Sequence, residues 1–415
     1  MESSYFEPIA IVGRSCILPH ARNIQEFWNC VSSGEDCVQE VAEERWRLDK
    51  ELVMRGSSDK DNDKTWSARG GYVEHFSFDP NGFQLPPQEL QGLDPLFHWS
   101  LHCSKVALQS SAKVNLSKTG VILGNLSFPS AKMSRYAEET WLQKIVATDQ
   151  KTDPRNRFMS GLPALMIQKA LGLGLSGFAL DSACASSLYA IKYACDRLQS
   201  KQADAMLAGA VNCADDLFIH VGFSALQALS KTGQSRPFHR DADGLIPAEG
   251  AAMFLLKRLS DAEIDGDNVW GVIRGIGLCN DGRSRGLLVP SSNGQIRAMQ
   301  RAYQNSDVQP QDISYVECHA TGTSVGDSTE VVSMKEVYGN NPVYIASLKS
   351  NMGHLITAAG AAGLLKVLGA FEHEYLPPTL HCDDEIDILK DSTFHLLRKG
   401  RDWTEPKRAA VSAFG

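Results

Sequence analysis

The apolar positions fall into two alternating rhythms along most of the chain. "PIAIVG" at 8–13, "TGVILGN" at 119–125 and "DAMLAGAVN" at 204–212 are short apolar runs between turn residues and predict buried strands. "AAMFLLKRL" at 251–259, "VWGVIRGIGL" at 269–278, "DISYVECHA" at 312–320 and "PVYIASLK" at 342–349 repeat the pattern. Between them, "IQEFWNCVSSG" predicts a helix stopping at Gly34, and "FMSGLPALMIQKALGL" predicts another. Further helical spacing covers 185–199, 293–305, 327–338 and 355–372. Strands alternating with helices predict α/β layers. The polar stretch "LSDAEIDGDN" at 259–268 is the natural seam, giving halves 1–260 and 261–415. Residues 51–70, rich in Gly, Ser and Asp, read as a surface excursion.

Composition narrows the function. The 415 residues are 43% hydrophobic and 22% charged, ordinary for a globular enzyme. A net charge of −8 supplies no basic field for nucleic acid. The start, "MESSYFEPIAIVG", lacks the basic and apolar regions of a signal peptide. "LITAAGAAGLLKVLGAF" is too short to span a membrane and is interrupted by Lys366. Ten scattered cysteines without a C-x-x-C pair read as reduced thiols, so a cytoplasmic chain is expected.

Three motifs fail on context. "GLGLSG" at 172–177 matches a dinucleotide fingerprint, but a helix precedes it and a strand follows, the reverse of what phosphate binding at a helix N-terminus needs. "HRDADGLIPAEG" at 239–250 has His239 and Gly250 where a calcium loop needs carboxylates; Asp241 and Asp243 read as loop-ordering residues. His98 and His102 are four apart but lack the other ligands of a zinc site.

Three strand-to-helix junctions carry reactive groups. In "LDSACASSLYAIKYA", Cys184 follows a strand pattern, and Leu188, Ile191, Cys195 and Leu198 then mark one helix face. A thiol at a helix N-terminus can fall from about 8.5 toward roughly 4–7. On this local pattern a core-filling cysteine and a nucleophile stand level. In "ECHATGTSVGDSTE", His319 closes a strand beside Thr321 and Thr323, with Asp327 and Glu330 as N-cap and first-turn acids of the next helix. In "KSNMGH", Lys349, Asn351 and His354 fill the third junction. Ligands of α/β sheets gather at the carboxyl ends of strands. A thiol and two imidazoles meeting there suit covalent acyl transfer with stabilisation of an enolate oxygen.

"DSACASS", "ECHATGT" and "KSNMGH" together resemble the nucleophile and histidine motifs of the β-ketoacyl synthase (ketosynthase) family of the thiolase superfamily. "FSALQALSKTGQSRPF", "DADGLIPAEGAAMFLLKRLSDA" and "AVSAFG" extend the resemblance over essentially the whole chain. It implies a duplicated thiolase fold of five layers, αβαβα, in a homodimer. It also implies decarboxylative Claisen condensation of an acyl-S-Cys184 intermediate with a malonyl-type acyl carrier protein. His319 and His354 would drive decarboxylation, with Lys349, Glu330 and Asn351 supporting and Thr321 and Thr323 contacting pantetheine. No metal or cofactor enters the chemistry; substrates arrive on phosphopantetheine. The family pattern continues past Gly415 with a phenylalanine and a Gly-rich loop, whose first N–H would join that of Cys184 in the oxyanion hole. A domain cut from a larger polyketide or fatty-acid synthase, with other domains alongside, is therefore expected. "FQLPPQELQGLDPLFHW" is closer to polyunsaturated or other lipid-type synthases. Ala320 stands where the family usually has glycine, and its methyl is expected to narrow the pantetheine site. The alternatives are a non-elongating or decarboxylase-only docking domain, or a thiolase.

Overall fold

The computed structural model describes residues 6–43, 45–56, 63–142, 152–283, 289–304 and 306–415. Part of the expected excursion, 57–62, lies outside the described residues. The elements that build the layers are β1 (Ile9–Ile17), α1 (Ile24–Ser33), α2 (Pro95–Gln109), β2 (Thr119–Asn125), α3 (Leu162–Leu171), β3 (Gly177–Leu180), α4 (Ser186–Gln199), β4 (Ala205–Asn212), β5 (Gly250–Arg258), β6 (Gly271–Ile273), α5 (Ser292–Gln304), β7 (Tyr315–Glu317), α6 (Ser324–Tyr338), β8 (Val343–Ala346), α7 (Ala359–His373), β9 (Phe394–Leu396) and β10 (Ala409–Val411).

One mixed sheet has the order β3-β2-β4-β5-β1-β6. β2 runs parallel to β3 and β4, whereas β5 is antiparallel to both β4 and β1. The second sheet, β9-β8-β7-β10, is parallel throughout. Side chains alternate across a strand, so each strand of the first sheet feeds two cores. Ala10 and Val12 of β1 join Val121, Leu123, Leu207 and Leu255 under α2 and α3. Ile9 and Ile11 join Ile122, Met206, Phe254 and Leu256 against α4 and α7. The second sheet repeats this: Val316, Val343 and Ile345 meet Val331 and Met334 of α6, while Tyr315 and Ala346 meet Val367 and Ala370 of α7. The layers are therefore α2/α3, sheet, α4/α7, sheet, α5/α6, the αβαβα order. This stacking explains why α7 is small-residue-rich: it is buried on both sides.

Local chemistry accounts for most boundaries. Asn23 accepts from Glu26 N at the start of α1, and Gly34 closes it in the left-handed region at φ 71°. Gly172 ends α3 the same way at φ 67°, so "GLGLSG" is a helix stop leading into β3. Asp243 accepts from Ser230 Oγ and the backbone of Lys231 and Thr232, ordering the loop that looked like a calcium site. His98 Nε2–H donates to Leu90 O (2.8 Å) and the ring stacks on Phe78, and His102 sits edge-on to Phe76. Both are packed core histidines.

Three boundaries differ from expectation. The polar seam holds a helix, Leu259–Asp265, capped by left-handed Gly266. Its polarity reflects one solvated face. β6 covers three residues of the ten-residue apolar run and pairs with β1 of the first sheet. Finally, α6 begins at Ser324 with Thr323 as N-cap, three residues before Asp327.

Candidate active site

The turn that carries Cys184 is held by Asp181 and Ser186. Asp181 Oδ1 accepts from Ala183 N (2.9 Å), and its Oδ2 accepts from Ser127 N (2.8 Å). Ser186 Oγ accepts from Ser182 N (2.8 Å) and donates to Ala183 O (2.7 Å). These bonds hold Ala183 at φ 47°, a conformation that costs a non-glycine residue energy and needs such support. The chain thereby turns sharply out of β3 and presents Cys184 just before α4 begins. Gly124 of β2 makes room for that turn. A Cβ there would lie 2.9 Å from Ala210 Cβ and 3.0 Å from the backbone of Ser186. Asp181 and Ser186 are recognisable afterwards as a short polar pair flanking the cysteine, a turn signal rather than a chemical one.

Cys184 is partly exposed and packs against a cluster of Leu126, Ile219 and Ile356, which Phe223 also borders. This apolar lining suits an acyl chain. It also reverses the expected acidity. Burial pushes the thiol up to about 11, against the pull of Lys349 and the local backbone N–H. The helix terminus and the lysine are both present, but the loss of water around sulfur outweighs them. At neutral pH Cys184 is therefore a thiol, not a thiolate.

His319 and His354 face each other with ring centroids 5.4 Å apart and nearly perpendicular planes. The backbone N of His354 donates to Ile246 O (2.6 Å). Its Nδ1 accepts from Ile356 N (3.1 Å), which places the ring proton on Nε2. Ile356 reaches this position at φ 48°, an unusual conformation for a β-branched residue. The strain thus fixes the tautomer of a candidate catalytic ring and also brings the Ile356 side chain onto Cys184. Burial, assisted by Lys349, holds both imidazoles well below the usual histidine range. The two rings are neutral donors at pH 7. Among the described residues His319 Nδ1 is buried without a hydrogen-bond partner, and the Phe414 ring lies edge-on at 5.4 Å.

The loop after β7 is gripped from the first turns of α6. Glu330 accepts from the backbone N of His319 and Ala320, each at 2.8 Å. Asp327 accepts from Thr321 N (3.0 Å) and Phe238 N (2.8 Å). Both carboxyls are buried, which raises Glu330 to about 7 and Asp327 to about 6. Asp327 is therefore a clamp on the preceding loop, and Thr323 takes the capping position assigned to it from sequence. The hydroxyls of Thr321 and Thr323 lie 3.0 Å apart. Ala320 is buried in the outer core with Phe238 and Val316.

Lys349 is buried, and its charge acts on Cys184, both histidines and the Glu317, Glu330 and Asp327 carboxylates. Burial lowers its pKa, while the surrounding acids oppose that shift. Glu317 itself pairs with buried Lys366 at 2.9 Å and accepts from Leu348 N (2.6 Å) and Tyr315 OH (2.6 Å). Asn351 is fully buried but faces elsewhere. Its Nδ2 donates to Glu35 O (3.1 Å) and its carbonyl accepts from Cys37 N (2.7 Å). Among the sequence-singled residues, Cys184, His319, His354 and Lys349 converge. Glu330, Thr321 and Thr323 border them, and Asn351 is a tie to the segment after α1. Gly415 lies against the nucleophile turn, since a Cβ on it would come 3.0 Å from Cys184 N.

The thiol testable by pH is Cys184. Its alkylation by iodoacetamide should rise about tenfold per pH unit from 7 to 9.5 without a plateau, because the thiolate fraction grows until pH approaches 11. Lys349→Met should slow the reaction at pH 8, since removing the positive charge raises the thiol further. A plateau near pH 7, read as loss of free Cys184 by peptide mass, would contradict the raised thiol.

A five-layer α/β fold with a cysteine, two neutral histidines and a buried lysine at the strand ends defines a condensing-type acyltransferase. The family comparison agrees. A model of the β-ketoacyl synthase N-terminal domain matches residues 6–262, and one of the C-terminal domain matches 270–383. The chain belongs to the β-ketoacyl synthase family; it is a ketosynthase, an acyltransferase of the polyketide synthase type. Polyketide synthase PksN of Bacillus subtilis is 32% identical over 99% of this chain and 8% of its own length. Pikromycin polyketide synthase component PikAIII of Streptomyces venezuelae is 33% identical over 100% of this chain and 27% of its own length. Among solved structures, a PfaC keto synthase-chain length factor superposes with TM-score 0.91 at 37% identity, covering 99% of this chain and 47% of that one. The oxazolomycin ketosynthase domain OzmH KS7 from Streptomyces albus gives 0.87 at 30%, covering 99% and 72%. The chain spans under a third of the length of the curated relatives named, and corresponds to one domain of those larger synthases. Among the described residues, no helix is long and apolar enough to cross a membrane.

Proposed function

We propose that this ketosynthase elongates an acyl chain by decarboxylative condensation, with Cys184, His319 and His354 as its catalytic residues. The supporting observation is the meeting of one thiol and two neutral imidazoles around a buried lysine. In the first half-reaction, the Cys184 sulfur attacks the carbonyl of an acyl thioester carried on phosphopantetheine. The carrier thiol leaves with a proton, the Cys184 proton having passed to a neutral imidazole. The apolar wall of Leu126, Ile219, Phe223 and Ile356 receives the chain.

A malonyl-type thioester then occupies the same mouth. Its carboxylate leaves as CO₂ and the electron pair becomes an enolate. His354 Nε2–H and the His319 ring donate to the enolate oxygen, a stabilisation strengthened by the dry site. The enolate carbon attacks the Cys184 thioester, a C–C bond forms, and the sulfur departs. The Cys184 N–H, just before α4, donates to the tetrahedral oxyanion. Thr321 and Thr323 supply paired hydroxyls for the pantetheine arm. Glu330 and Asp327 keep His319 and those threonines in register.

A homodimer, an acyl carrier protein partner, a cytoplasmic setting and a lipid-type, polyunsaturated pathway belong to the same proposal. The last rests on "FQLPPQELQGLDPLFHW". The two-half organisation rests on the pair of family matches on either side of residues 263–269. The direct test is to load the chain with an acyl thioester, add malonyl carrier protein, and read the carrier mass. The expected product is a β-ketoacyl carrier protein, longer by two carbons. Acylation without chain growth would replace elongation by the docking or decarboxylase reading.

A further inference from the structure

The segment around the end of α1 gathers four metal-ligating groups that take no part in the acyl chemistry. His20 Nδ1 lies 2.8 Å from Glu35 Oε1. One donor atom each from His20, Glu35 and Cys37 lie within 4.8 Å of one another. The Cys30 thiol contacts both the Cys37 thiol and the Glu35 carboxylate, and also points toward His20 O at 3.8 Å. The grouping is non-local in conformation: His20 sits at φ 58°, in the left-handed region, which turns its ring back over the helix end. Cys30 and Cys37 are buried while His20 and Glu35 are exposed, so the cluster has sulfur at its base and an open side toward solvent.

We propose that His20, Cys30, Glu35 and Cys37 form a binding site for a single thiophilic divalent cation of the zinc class, separate from the acyl-transfer centre. A tetrahedral S₂NO set is the donor combination such an ion prefers, and magnesium or calcium would select an oxygen cage instead. Ligand atoms around tetrahedral zinc are separated by roughly 3.3–3.8 Å, given bonds of about 2.0–2.3 Å. Three of the four donor atoms already lie within 4.8 Å of one another, and the Cys30 thiol contacts two of those three groups. Binding replaces the His20–Glu35 hydrogen bond by two bonds to the ion and releases the two thiol protons to solvent.

The position of the cluster gives the ion a structural consequence. Cys37 N donates to Asn351 O (2.7 Å), and Asn351 Nδ2 donates back to Glu35 O (3.1 Å). Asn351 stands between Lys349 and His354 in one short segment. A metal bound through Glu35 and Cys37 therefore stiffens the backbone that anchors the acyl-transfer residues. Loops held by few apolar contacts gain most from such a clip.

The test uses the full chain after chelator treatment under reductant, titrated with Co²⁺ alone and then with Zn²⁺. The expected result is one equivalent of Co²⁺ with a near-ultraviolet thiolate-to-cobalt band, displaced by Zn²⁺, together with a rise in melting temperature. Cys37→Ser should abolish the band, and His20→Asn should weaken binding by about 10–100-fold. Asparagine is chosen because it tolerates the left-handed backbone at this exposed position, so the variant folds even if Cys37→Ser does not. Cys184→Ala should bind as the wild type does, which separates this site from the nucleophile. No band, a band unchanged in His20→Asn, or a Cys30–Cys37 disulfide found by mass with no metal uptake after reduction would overturn the proposal.

Discussion

Cys184→Ala should leave a folded protein that takes no acyl group and whose condensation rate falls by at least about 10³-fold. The reason is specific to the geometry. The structure places a half-buried thiol at the turn before α4, packed against Leu126, Ile219 and Ile356, with Lys349 acting on it. The other nine cysteines are scattered, and eight of them are buried in the layers or under loops. Intact-protein mass after exposure to an acyl thioester donor should rise by one acyl group in the wild type and stay unchanged in the variant. Alanine is well tolerated at this position because Ala183 and Ala185 already flank it and the turn is held by Asp181 and Ser186. The variant should still release CO₂ from malonyl carrier protein, because the histidine pair is intact. A variant that acylates as fast as the wild type would move the nucleophile elsewhere, with partly exposed Cys279 the first alternative.

The second large effect belongs to the histidines. His354→Ala and His319→Ala should each lower decarboxylation of malonyl carrier protein by about 10²–10³-fold, the usual cost of one preorganised donor to a developing oxyanion. Acylation of Cys184 should still be detectable by mass in both. The two changes should fall short of additive, since both rings face one site 5.4 Å apart. The pH profile supplies the sign. Burial holds both imidazoles well below the ordinary value, so they stay neutral as pH falls through 6.5 and become charged only further down. Decarboxylation should therefore be level between pH 6 and 8 and decline on the acid side of that range. Radiolabelled CO₂ release measured across pH 5–8 reads this directly. A decline centred at 6.5, or CO₂ release unaffected by either substitution, would show that neutral donors are not what the reaction uses.

Much of the architecture follows from the linear pattern. Short apolar runs became β1, β2, β4, β5 and β8 because each is buried on both faces, and a doubly buried strand has no polar face to interrupt it. Gly34 and Gly172 stopped helices for the reason their residue type suggests. The reactive junctions were readable because a helix start beside a small-residue turn is a local event. What was not readable is whatever depends on a distant neighbour. Ile356 at φ 48° is sterically disfavoured for its residue type, so nothing local in the sequence announces it. The clamp from Glu330 to His319 and Ala320 looks from sequence like an ordinary first-turn acid. Asn351 looked like part of the catalytic group, and its amide is bound to the segment after α1 instead.

The thiol shows the division most plainly. The sequence by itself determined that Cys184 is a strand-to-helix cysteine among small residues, that two histidines share its kind of position, and that the chain is a ketosynthase. A helix N-terminus alone favours the thiolate, and on that basis the expected shift is downward. Only the tertiary structure decided that the shift is upward, because it packs Leu126, Ile219 and Ile356 against Cys184 from segments up to 172 residues away in sequence (Cys184 to Ile356). Desolvation depends on everything that replaces water around a group, and that set is assembled only when the two sheets and the α4/α7 layer close on one another.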